Sequence, residues 1–141
     1  MAVLSLVAVC LAGGADAQEA NAGLPPQSIY PGDCGVFFWT RAEPNAFIAF
    51  ANRTRGDARI WLDGAIVDFT VPVSATPEGR VGEQIAYTIP AAGARLEGEI
   101  TEQRGDEFVL SRAFLRQTLA DGSEPVTPLV GLAACRIPSA P

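Results

Sequence analysis

Arg59-Ile60-Trp61-Leu62, then Asp63-Gly64, then Ala65–Val73 carry the clearest structural signal in the chain. Asp-Gly between two runs rich in β-branched and aromatic residues marks a two-residue type I′ hairpin, because both central positions of that turn need positive φ. The second arm alternates Val67, Phe69 and Val71 against Asp68 and Thr70, the period of a strand with one face in a core.

The same period extends in both directions. Upstream, Val36-Phe37-Phe38-Trp39-Thr40-Arg41 is dense in strand formers, with Phe37 and Trp39 on one face and Phe38 on the other. Ala46–Asn52 puts Phe47 on one face and Ile48 and Phe50 on the other. Downstream, Gln84–Ile89 alternates Ile85, Tyr87 and Ile89 against Ala86 and Thr88, and Arg95–Gln103 alternates Leu96 and Ile100 against Glu97, Glu99 and Thr101. Phe108 opens a run to Leu119. Its second half, Ser111–Leu119, has a weak helical stripe but is read as strand. Val126–Ile137 is a last apolar run in which Pro128 and Gly131 suggest an edge position or a bulge. Seven to eight short strands separated by Gly, Pro and Asp-Gly predict an all-β domain, a small antiparallel β-barrel or β-sandwich.

Composition narrows the chemistry. The chain has 141 residues, one domain's worth, with 48% hydrophobic residues. Ten basic residues, all Arg, face sixteen acids, for a net charge of −6. No cationic face for phosphate is foreseen, so nucleic acid is not an expected partner. The absence of His removes Ser-His-Asp and Cys-His catalysis and His-ligated metals; the absence of Lys removes Schiff-base chemistry and the P-loop lysine. No cofactor or metal motif is present, and the chain is expected not to be an enzyme.

The N-terminus points to export. Residues 2–12 form an apolar run too short to span a bilayer, broken by Gly13-Gly14 and followed by Ala15-Asp16-Ala17 ahead of Gln18. This reads as a signal peptide over 1–17, although its n-region lacks Lys and Arg, which is read as a start lying further upstream. Val7-Ala8-Val9-Cys10 loosely resembles a bacterial lipoprotein box but departs from it at Val9, so a lipid anchor at Cys10 is the lesser reading. Cleavage after Ala17 leaves two cysteines. An even count in an exported chain predicts a Cys34–Cys135 disulfide, and a disulfide needs Cα atoms within about 7 Å, so the first and last strands should be neighbours. Residues 18–29, with Pro25-Pro26, read as a flexible lead-in, residues 30–137 as the domain, and 138–141 as a tail.

Three features are candidates for function. Phe37, Trp39 and Trp61 are the candidate binding surface, because two of three consecutive strand aromatics cannot share the core face of the third. Glu97, Glu99, Glu102, Asp106 and Glu107 offer carboxylates for acid–base work, or else the solvated side of an outer strand with Arg95 and Arg104 nearby. Arg-Gly-Asp occurs at 55–57 and 104–106, read as turns rather than adhesion loops. The expected function is a non-enzymatic binding or accessory domain of the bacterial periplasm, or a secreted one, with an envelope protein or glycan as partner. The alternatives are an inhibitor of a lysozyme or protease, which shares this general description as a class, and a small carboxylate-dependent hydrolase.

Overall fold

In the computed structural model, which describes residues 23–74 and 79–137, Asp63 and Gly64 both take positive φ, 50° and 80°. They join β3 (Asp57–Leu62) to β4 (Ala65–Thr70), with Leu62 opposite Ala65, the type I′ hairpin that the dipeptide predicts. The other strands are β1 (Cys34–Thr40), β2 (Phe47–Asn52), β5 (Gln84–Ile89), β6 (Ala94–Glu99), β7 (Glu102–Arg104), β8 (Glu107–Gln117) and β9 (Val126–Cys135). The signal peptide, Cys10, the start of the lead-in and the tail lie outside the described residues.

All pairings are antiparallel, in the order β4-β3-β2-β1-β9-β8-β6-β5, with the short β7 hairpinned onto β8. The result is a nearly closed barrel of eight strands. Its seam lies between β4 and β5, which no strand pairing joins. Alternation sends one face of each strand inward. Val36, Phe38, Ile60, Ile89, Leu96, Ile100, Leu110 and Leu129 are fully buried in one cluster, each worth roughly 1.5–3 kcal/mol of transfer free energy. Ser111–Leu119 is strand as far as Gln117.

First and last strands are neighbours. Cys34 is the direct partner of Cys135, with Cα atoms 3.9 Å apart and a disulfide between them. The pairing continues past the bridge, where Gly32 N–H donates to Arg136 O and Arg136 N–H to Asp33 O, each at 2.8 Å.

Two local expectations change. First, β9 is a central strand between β1 and β8, not an edge. Pro128 is tolerated there because its oxygen, accepting from Arg41 N–H at 3.2 Å, faces the side where β1 has already ended. In an antiparallel strand a residue's nitrogen and oxygen point the same way, so the missing N–H falls just past the end of β1 and removes no bond from the β8 side. The register shift in the β8–β9 pairing falls between Leu110 and Ala113 and puts its extra residue on β8, opposite the run that carries Pro128 and Gly131. Second, Ile48 is the extra residue of a bulge in β2: Phe38 pairs with Ala49, but Trp39 pairs with Phe47. The bulge resets the alternation, so Phe47 joins Phe50 on one side instead of opposing it.

Candidate functional site

The exterior of the barrel is two-faced. On β1, Phe38 is wholly buried while Phe37 and Trp39 are half-buried on the outside. Their rings stack, with centroids 6.2 Å apart at 23°. Phe47 contacts both, at 6.1 Å from Phe37 and 5.3 Å from Trp39, and Phe50 lies 5.1 Å from Phe37. The apolar strip continues onto β9, where Leu132 is opposite Phe37 and Val130 opposite Trp39, and reaches Val126 and Phe114, both exposed. The outside of β2, β1 and β9 therefore carries rings and branched aliphatics, and on β8 Phe114 stands at their border between the outward Arg112 and Arg116.

Trp61 is not part of this ring group. It packs, half-buried, against the interior cluster from β3. Phe47 and Phe50 take its place. Sequence alternation misses them because the bulge at Ile48 has no residue signature in Phe-Ile-Ala-Phe.

The opposite half is polar. Glu97 pairs with Arg95 and Arg116, Glu99 with Arg112, and Glu102 with Arg104. These carboxylates stand on the outer surface among arginines, an ion-pair ladder that does not bring two carboxyls together in a cleft. Arg104 holds the Glu102 carboxyl below its usual range. Among the described residues no cluster of acids and cysteines has the makings of a metal site.

One end of the barrel is closed by a polar cluster around the disulfide. Asp33, Asn52 and Arg53 are buried. Asn52 Nδ2 donates to Asp33 Oδ2 at 3.1 Å, and its Oδ1 accepts from the N–H groups of Thr54 and Arg55, both at 3.0 Å. Arg55 Nε donates to the same Asp33 oxygen, and its guanidinium lies 4.2 Å over the Tyr30 ring. These bonds hold the Asp33 carboxyl below its usual range, Asn52 contributing most and Arg55 next. Sequence offers one clue, since an Asn followed by Thr and Gly is a turn organiser.

The cluster also settles the posture of the Arg-Gly-Asp copies. Both are turns between strands; Gly56 and Gly105 have φ of 87° and 58°. In each, the arginine is spent on a local carboxylate, Arg55 on Asp33 and Arg104 on Glu102.

The described part of the lead-in is anchored at both ends. Leu24 is buried outside the interior cluster and its N–H donates to Phe47 O at 2.7 Å, while Arg136 reaches Ile29 O at 2.8 Å. Gly23, with φ of 73°, sits so close to the Phe47 carbonyl that no side chain fits. At the seam, Arg53 pairs with Glu83 at 3.3 Å beside a cleft of about 200 Å³. Burial pushes the neighbouring Tyr87 hydroxyl up in pKa.

No family model, curated protein or solved structure matches this chain. Its function is therefore argued from this geometry alone.

Proposed function

We propose that the chain is a non-enzymatic binding or accessory domain of the bacterial envelope, periplasmic or secreted, whose contact surface is the outside of β2, β1 and β9. The observation that carries this reading is the stacked set Phe37, Trp39 and Phe47, half-buried on the barrel's exterior when its interior is already filled. Large rings left partly wet next to branched aliphatics mark contact surfaces more than folding does. The polar opposite half gives the surface a direction. Export is supported by the Cys34–Cys135 bridge, which persists in oxidising compartments. Among the described residues no helix is long and apolar enough to cross a membrane.

The partner class is an envelope protein or glycan. A Phe37→Ser/Trp39→Ser variant is expected to keep the barrel's circular dichroism and lose co-sedimentation with purified cell-wall sacculi or co-elution with solubilised envelope proteins. Retention of both associations by the variant would refute the assignment. Lysozyme and protease assays with the purified protein separate inhibition from simple attachment.

A further inference from the structure

The ion-pair ladder on the polar half has one irregular rung. Elsewhere each carboxylate meets one arginine, Glu99 with Arg112 and Glu102 with Arg104. At the end of the ladder Arg95 and Arg116 are direct cross-strand partners on β6 and β8. Like charges placed opposite each other destabilise a sheet. They share a single carboxylate, Glu97, which lies 2.8 Å from Arg95 Nε and 3.2 Å from Arg116 Nε. Both arginines meet Glu97 through Nε. Among the described residues the terminal amino groups of both guanidiniums have no hydrogen bond within the protein.

These two arginines form a wall of a cleft of about 310 Å³. It opens at the rim of the barrel where β5 leaves for the 3-10 turn Pro90–Ala92. Thr88 and Thr118 line it, and Glu124 stands on its wall with no ion pair among the described residues. The cleft thus has a basic side with unspent donors, an acidic side with unspent acceptors, and hydroxyls among them. A bare anion would satisfy only the first. A neutral sugar would leave unmatched the excess positive charge of two arginines against the one carboxylate they share, Glu97.

We infer that this cleft binds a small hydroxylated carboxylate, of the uronic-acid type. Its carboxylate lies between the Arg95 and Arg116 amino groups and its hydroxyls donate to Glu124. Planar guanidiniums suit this role because they meet a carboxylate through paired N–H donors. The site lies on the polar half of the barrel, so it stands or falls apart from the aromatic surface.

Titration calorimetry at low ionic strength, with backbone amide shifts, tests it using D-glucuronate, D-glucose and acetate as probes. Glucuronate is expected to bind at least about tenfold more tightly than either of the others, and to shift the amides of Gly93 and Thr118. Arg116→Gln, and Arg95→Gln separately, should each weaken glucuronate about tenfold. Both side chains are more than half exposed, 53% and 56%, so the variants are expected to melt like the parent. Glucuronate binding no tighter than glucose or acetate, shifts confined to other strands, or undiminished binding by both single variants would each overturn the inference.

Discussion

Phe38 on β1 and Gly131 on β9 are direct cross-strand partners, and the Phe38 ring occupies the space a side chain at 131 would need. A Cβ there would meet two Phe38 ring carbons at 3.1 Å and Leu110 Cβ at 3.2 Å. On β6, a Cβ at Gly98 would meet Leu110 Cδ2 at 2.8 Å and make only ordinary contact with the Phe38 ring, at 3.6 Å. The largest fully buried side chain of the barrel therefore rests on Gly131. This is why a glycine appears in the middle of a central strand, where it otherwise weakens pairing.

Gly131→Ala should overpack the interior and cost about 1–3 kcal/mol in urea denaturation. Combining it with Phe38→Leu should recover part of that loss, because the smaller side chain vacates the contested space. Additive losses in the double variant would show that the two residues do not compete.

The Cys34–Cys135 bridge closes a loop spanning 101 positions of sequence and joins the first strand to the last. Its removal by Cys34→Ser/Cys135→Ser should cost about 2–5 kcal/mol, most of it through the unfolded chain. The β-type circular dichroism in the cold should persist, since the β1–β9 pairing runs from Cys34 to Thr40 irrespective of the bridge. Non-reducing peptide mapping of the parent should give one cross-linked pair containing both cysteines.

Asp33 supplies a pH dependence of known sign. Its carboxyl is held below the usual range by Asn52 and then Arg55, so the folded state favours its ionised form. The stability this gives is fully present above the unfolded-state value of about 4 and is lost as pH falls through the lower folded value. Asp33→Asn should be less stable at neutral pH and lose stability less steeply than the parent below about pH 4, read from urea midpoints. Parallel curves for the two proteins would contradict the linkage.

Gly23→Ala should detach the start of the lead-in, since positive φ and the Phe47 carbonyl both exclude a side chain there. Limited proteolysis should then cut between residues 24 and 30 faster than in the parent, while the barrel's melting temperature changes little.

Much of the barrel is legible in the sequence because each strand writes its own alternation, and Asp63-Gly64 fixes one hairpin outright. The Cys34–Cys135 adjacency follows from counting the cysteines left once residues 1–17 are read as a signal peptide. Phe37 and Trp39 follow from Phe38, since neighbours on a strand must face apart. What is hidden is non-local. The bulge at Ile48 exists because β1 and β2 slip by one residue between Phe38 and Trp39, and nothing within Ala46–Asn52 announces it. Pro128 in a central strand is explained only by where β1 stops. The pairing of Arg95 with Arg116 depends on β6–β8 register, which two arginines twenty-one positions apart do not reveal.

The proposed contact surface is tested most directly by photo-cross-linking in bacterial cells that produce the full chain. One variant carries a photoreactive phenylalanine in place of Trp39. The other carries it in place of Ala86, an exposed residue on β5, four strands away around the barrel. Irradiation should give a discrete covalent adduct with an envelope component from position 39 and none from position 86. No adduct from either position, or the same adduct from both, would contradict the assignment of the aromatic face as the binding surface.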